Sequence, residues 1–375
     1  MGMRRVREWV AGILALAAAA GCTRLPGEAA GPGADAGAGW SSRLAASASP
    51  RVGGNAVEIL VDGPAIYGAV VAAVRAARAT IAYEQFAYKD GAIPWTLAEA
   101  LAERCRAGVA VHILIDGFGV RWMPAGARRM LEEAGCEFAV FRPLALSGAL
   151  TLNHRTHRRI LVVDGRVGFA GGSVVMLDWR TEGDGHDRLR ETDVRVEGPV
   201  VAWLQRAFAA HWREATGRLL PGPAHDPRPG AAGAVEAQVV DSSPRDGDYA
   251  VHALYMHAIT AARRSIAITN QYLVLGDPMT AALRDAVARG VSVDIIVPGD
   301  NTNTLLRAAG QARLDRLLLG GVRVHAYGPR SLHAKTMVVD GRWSTVGSAN
   351  LDPRSLAINE ELNVVAHDEG VARRL

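Results

Sequence analysis

The chain has 375 residues, of which 49% are hydrophobic and 21% charged, so it can bury substantial cores, and disorder or a fibrous class is excluded for its bulk. At roughly 100–200 residues per domain, that length suggests about two units. A count of 42 Lys and Arg against 38 Asp and Glu gives a net charge of +4, which names no anionic partner by itself, and 3 cysteines exclude a disulfide framework.

At the N-terminus Arg4, Arg5 and Arg7 precede an uncharged run from Trp9 to Gly21. A spanning helix needs about 20 apolar residues, so this run is short for a permanent anchor and suits a secretory signal. Ala19, Ala20 and Gly21 lead into Cys22, a sequence that resembles a bacterial lipobox, with Ala19 where Leu is usual. The expectation is a signal peptide over 1–21, cleaved before a lipid-modified Cys22. A simple signal peptide or an uncleaved anchor are the alternatives, and each places the remainder outside the cytoplasm, facing the periplasm or cell exterior. Residues 22–55, rich in Gly, Ala, Pro and Ser, read as a flexible tether. A similar stretch at 217–238 reads as a linker between two halves, 56–216 and 239–375.

The halves repeat one pattern. The strand-like TIAYEQFAY, a helical run and RAGVAVHILIDG in the first correspond to SIAITNQYLV, a helical run and ARGVSVDIIVPG in the second. A further helix and short strand follow in each, as EEAGCEFAVFRP and LLLGGVRVHAYGP. Each then closes on a hairpin signal with Asp-Gly between β-rich runs, RRILVVDGRVGFAGG and KTMVVDGRWSTVGS. Strands alternating with helices predict a duplicated α/β domain. Cys105 lies in a helical run and Cys136 opens a strand. A disulfide between them is open, and free cysteines packed in the core are the preferred reading.

Chemistry concentrates in SLHAKTMVVDGRWSTVGSANLD. His333 and Lys335, two apart at the start of a strand, leave the same face and can share a phosphate. Asp340 falls on the opposite face and opens the Asp-Gly turn, so its spacing suits a supporting role. Gly347 and Ser348 permit close backbone approach, and Asn350 offers an amide donor.

The pattern H-x-K-x4-D-x6-G-S-x-N, formed by His333, Lys335, Asp340, Gly347, Ser348 and Asn350, resembles the signature of the phospholipase D superfamily. The first half carries a counterpart in His157, Asp164, Gly171 and Gly172. Arg159 stands where the family has Lys, and Val174 where Asn is expected. Arginine is still cationic and can grip phosphate bidentately, but its bulk and shape differ. His154 is a flanking residue with no ligand set of metal-binding type around it. The superfamily generally works without metal, and no cofactor is implied.

What the resemblance implies is a duplicated phospholipase D-like domain: two mixed β-sheets flanked by helices, with the active site between the halves. Its chemistry is attack on a phosphodiester by one imidazole, a covalent phosphohistidine, and transfer to water or an alcohol. The implied catalytic set is His157, Arg159, Asp164, His333, Lys335 and Asp340, with His157 as nucleophile, His333 as general acid, and Arg159, Lys335 and Asn350 neutralising phosphate oxygens. Each imidazole also needs a group to fix its tautomer. Glu361, in an N-x-E element with Asn359, is the candidate in the second half; Glu191, beside Asp193, is the candidate in the first.

Within the superfamily the chain is most similar to bacterial cardiolipin synthases, from about residue 56 to the end. That implies transfer of a phosphatidyl group between phosphatidylglycerol molecules at a membrane surface. A hydrolase on the same scaffold, either phospholipase D or a metal-independent nuclease, is a second possibility, although so mild a basic excess does not favour nucleic acid. Arg159 and Val174 motivate a third, a degenerate non-catalytic protein that binds phosphate or membrane.

Overall fold

Two strand-and-helix series of the same order run through the chain in a computed structural model that describes residues 48–144, 152–173, 175, 189–220, 222, 225–299, 314–328 and 331–375. The expected signal peptide, the anchor residue Cys22 and Val174 lie outside the described residues. In the first half the elements are β1 (Val52–Val61), α1 (Asp62–Ala76), β2 (Thr80–Ala87), α2 (Ala92–Arg106), β3 (Ala110–Gly119), α3 (Ala125–Glu133) and β4 (Glu137–Phe141). There follow the hairpin strands β5 (Ile160–Val163) and β6 (Val167–Gly171), then β7 (Leu189–Arg190), β8 (Thr192–Glu197) and the long helix α4 (Val201–Thr216).

The second half repeats this as β9 (Val235–Ser242), α5 (Ala250–Ala261), β10 (Ser265–Asn270), α6 (Asp277–Ala288), β11 (Ser292–Pro298) and β12 (Arg323–Tyr327). It closes with β13 (Ser331–Leu332), β14 (Lys335–Val339), β15 (Trp343–Gly347), α7 (Pro353–Ala357), β16 (Glu361–His367) and α8 (Glu369–Ala372). Strands β1 and β9 therefore begin inside the stretches 22–55 and 217–238 that composition assigned to tether and linker. Glycines at the rim of a strand do not prevent pairing when a neighbour supplies the ladder.

Each half is a mixed sheet of the same order: β1-β8-β6-β5-β2-β3-β4 and β9-β16-β15-β14-β10-β11-β12. The outer three strands of each are parallel and the rest antiparallel. The sheets are not separate. A short antiparallel contact pairing Val52 with Ala237 and Asn55 with Val235 joins β1 to β9, making one 14-stranded sheet.

One core packs α1 and α2 on the outer face of the first half, and a second packs α5 and α6 on the second. A third lies between the halves, where Val162, Val194, Val346 and Val364 meet Phe208 and Trp212 of α4. Helix α4 presents Val201, Leu204, Phe208, His211 and Trp212 at the 3.6-residue period of a single buried stripe. Gly217, at φ 71°, ends it in the left-handed conformation.

The cysteines depart from the preferred reading. Cys105, in the last turn of α2, and Cys136, just before β4, form a disulfide with Cα atoms 5.4 Å apart. The parallel β3–β4 pairing brings α2 and the start of β4 within bridging range, which spacing in the sequence does not reveal. Among the described residues, no helix is long and apolar enough to cross a membrane.

Candidate active site

Hairpin geometry delivers the two motifs. The Asp164-Gly165 and Asp340-Gly341 pairs all have positive φ, between 52° and 68°, as a tight two-residue turn demands. Asp164 accepts hydrogen bonds from the backbone N–H groups of Arg78, Ala79 and Thr80, and Asp340 from those of Arg263, Arg264 and Ser265. Both aspartates thus pin the hairpin tip to the start of the neighbouring strand. Asp340 lies five positions beyond Lys335, just past the far end of β14, about 16 Å of extended chain. Both aspartates, which the motif resemblance counts in the catalytic set, hold the frame at the hairpin tips in this structure, a supporting place that the spacing of Asp340 suggests.

At the other end of these strands the two histidines come together, and the halves cross over to build the site. Thr156 bridges Glu360, and β7 pairs in parallel with β13. His157 donates its backbone N–H to the Glu360 carbonyl at 2.8 Å, and His333 donates its own to the Arg190 carbonyl at 2.8 Å. Each histidine is therefore fastened to the residue just before the other half's glutamate.

The side chains follow. His157 Nδ1 lies 2.9 and 3.0 Å from the two carboxylate oxygens of Glu361, and His333 Nδ1 contacts Glu191 Oε2. The two glutamates singled out in the sequence are both present, but each serves the histidine of the opposite half. An ionised carboxylate only accepts, so Glu361 places the His157 proton on Nδ1 and leaves a lone pair on Nε2. Arg159 donates to that Nε2 at 3.1 Å and to the His157 carbonyl at 2.7 Å. Lys335 is packed against the His333 carbonyl, with Nζ 3.1 Å from His333 Nδ1 and 3.4 Å from Gln271 Oε1. Phe86 sets its ring edge against His157, centroids 5.2 Å apart.

Electrostatics separate the two pairs. Burial and the Arg159 charge push the His157 imidazole down to about 4. Burial works against ionisation of Glu361, but the contacts with His157 and the Ser348 hydroxyl, 2.5 Å away, prevail and hold it below the usual carboxylate range. Glu191 has Gly172 where Glu361 has Ser348. A Cβ at Gly172 would come within 2.7 Å of Glu191 Oε1, and among the described residues this carboxylate accepts from the Thr192 backbone N–H and no hydroxyl. Burial raises Glu191 above its ordinary range, while burial and the Lys335 charge drive His333 well below its own. The two carboxylates are thus shifted in opposite directions, Glu361 down and Glu191 up. Lys335 itself is pushed down to about 7 by burial.

Asn350 is buried, and among the described residues its Oδ1 has no hydrogen-bond partner; Asn359 is likewise buried with an Oδ1 unpaired among them. His154, set aside in the sequence, uses Nδ1 to contact the Ile358 carbonyl at 2.9 Å and helps fasten the halves. Sequence reasoning also missed a charged layer behind His157. There Glu84 contacts His211 Nδ1 at 2.7 Å and Thr156 Oγ1 at 2.5 Å, and Glu360 pairs with Arg142 at 2.7 Å. The one signal for it was polar residues inside otherwise apolar strands and helices. Among the described residues no His, Cys, Asp and Glu group of metal-binding type occurs.

Comparison with known proteins places relatives around this geometry. A family described as "Cardiolipin synthase, PLD-like domain" matches residues 255–375. Cardiolipin synthase A of Pseudomonas putida is 34% identical over 324 residues, covering 86% of this chain and 67% of the relative. Cardiolipin synthase A of Pseudomonas aeruginosa is 35% identical over 325 residues, covering 86% and 66%. The chain thus spans about two thirds of the length of these relatives. Among solved structures, a phosphatidylserine synthase from Haemophilus influenzae superposes with a TM-score of 0.67 at 12% identity, covering 89% of this chain and 87% of its own, a likeness of fold.

Proposed function

Since the chain belongs to the cardiolipin synthase family of the phospholipase D superfamily, we propose that it is a phosphatidyltransferase joining two phosphatidylglycerol molecules into cardiolipin and glycerol. The observation that carries this reading is the crossed pair of dyads, His157–Glu361 and His333–Glu191, with a cation beside each imidazole. One site made by both halves has the parts for a two-step displacement at phosphorus.

In the first step His157 Nε2 attacks the phosphorus of the donor lipid. The bond to the glycerol headgroup oxygen breaks, and that oxygen takes the proton held by the His333–Glu191 dyad. Phosphatidyl-His157 results. In the second step the dyad accepts the proton of the acceptor's glycerol hydroxyl, whose oxygen attacks phosphorus and releases His157. Arg159 and Lys335 neutralise the phosphate oxygens in both steps, where charge builds up in a water-poor site. Asn350 adds its amide donor.

The protein acts at a membrane surface outside the cytoplasm, tethered through the lipid on Cys22. Supports for this placement are the basic and apolar N-terminal run and the Cys105–Cys136 disulfide, which suits an oxidising compartment. The test is to incubate the protein with phosphatidylglycerol vesicles and identify the products. Cardiolipin with equimolar glycerol is expected. Phosphatidic acid would instead identify a hydrolase, and the absence of any turnover would favour a binding protein.

A further inference from the structure

The two halves act as internal controls for each other, because sheet register fixes which positions correspond. Gly171 faces Asp193 across β6–β8, and Gly347 faces Asn363 across β15–β16. In both halves a Cβ on that glycine would collide with the facing side chain, so the acid and the amide occupy the same place in the fold. The half with an arginine in its motif has a carboxyl there, and the half with a lysine has a neutral amide.

The chemistry around each explains the coincidence. Arg159 is buried, its Nε has no hydrogen-bond partner among the described residues, and it lines one small cavity together with Asp193, Tyr67, Tyr83, Gln85 and Ser173, sharing that space with Asp193 without a direct ion pair among the described residues. A buried guanidinium is costly unless an anion or enough acceptors face it. Lys335 has a compact ammonium whose donors meet the His333 carbonyl and Gln271. In the same half Asn363 donates its Nδ2 to the Tyr255 hydroxyl at 3.1 Å and to Thr345 Oγ1 at 3.0 Å. We propose that Asp193 positions the Arg159 guanidinium against the phosphate, so that Arg159–Asp193 in the first half is a matched replacement for Lys335–Asn363 in the second. This rests on the phosphate-handling reading above. It makes Arg159 a working variant with its own partner.

Asp193 also accepts from the backbone N–H groups of Gly172 and Ser173, at 3.0 and 3.1 Å. Burial and Glu191 push Asp193 up to about 7, and the Ser173 side chain also contacts its carboxyl. An Asp193→Asn variant keeps an acceptor for both N–H groups while it removes the ionisable carboxyl, and the double-mutant coupling separates positioning from a merely structural role. The experiment is a double-mutant cycle of Arg159→Lys and Asp193→Asn in the full chain, read by kcat and KM on phosphatidylglycerol vesicles. Calorimetric binding of inorganic phosphate provides a readout that needs no turnover. Each single variant is expected to lose about 10-fold in kcat/KM and the double to return to within about 3-fold of the wild type, a coupling of the size that residues sharing a cavity show. Losses that multiply in the double variant, or a gain from Arg159→Lys alone, would overturn the proposal. Should a first-half variant fail to fold, the mirror cycle of Lys335→Arg with Asn363→Asp reads the same coupling, with additivity again the contrary result. A wild type that turns over no phosphatidylglycerol counts against the proposed function, while the phosphate cycle still decides the pairing.

Discussion

Ser348 and Gly172 occupy matching positions in the two motifs, and this single hydroxyl helps give the two glutamates different work. Ser348 donates to Glu361 and helps hold it below the usual carboxylate range, which fixes the His157 proton on Nδ1; Glu191 faces Gly172 at the matching position, is raised by burial, and lies against His333 Nδ1. Replacing Ser348 by Ala should lower kcat by about 10-fold with KM little changed, the worth of one hydrogen bond to a charged group. Glu361→Gln should cost on the order of 10²–10⁴ in kcat, since an amide no longer enforces the tautomer. Lys335 adds a pH dependence. Its ammonium, pushed down to about 7, is protonated below that value and neutral above it, so phosphate binding should weaken as pH rises through about 7. Titrating KM against pH checks the direction, and Lys335→Arg, whose charge persists at all accessible pH, should flatten the rise.

At the scale of elements, the hairpins and the disulfide carry the frame. Asp340→Ala removes the acceptor for three backbone N–H groups and should lower stability by about 1–3 kcal/mol in urea denaturation, while Asp340→Asn retains part of it. Reducing Cys105–Cys136 frees a loop with a sequence separation of 31, which loop-closure entropy values at about 3–4 kcal/mol. A loss of unfolding free energy of that size in urea denaturation on adding reductant is the expected result. Much of this frame was legible in the sequence. The Asp-Gly turns specify hairpins locally, and β2, β3, β10 and β11 announce themselves as apolar runs. Strands β1 and β9 were hidden because their role is set by pairing with each other and with β8 and β16, not by local composition. The disulfide was hidden for the same reason, since parallel strands bring together segments that no local signal connects.

Over the whole molecule, the duplication is what makes a site. His157, His333, Glu191 and Glu361 were each visible as motif residues, yet their pairing was not, because the partners lie 204 and 142 positions apart. Only the crossing bridges at Thr156–Glu360 and β7–β13 decide which carboxylate meets which imidazole. Neither half contains a complete dyad. The account's central claim is that both halves build one centre in which His157 carries the phosphatidyl group while the His333–Glu191 dyad moves the proton. Rapid acid-free quenching of the protein turning over phosphatidylglycerol, followed by mass spectrometry of its peptides, tests that claim most directly. A phosphatidyl adduct on His157, absent from His157→Ala, is the predicted result; steady turnover with the adduct on His333, or on neither histidine, would contradict it.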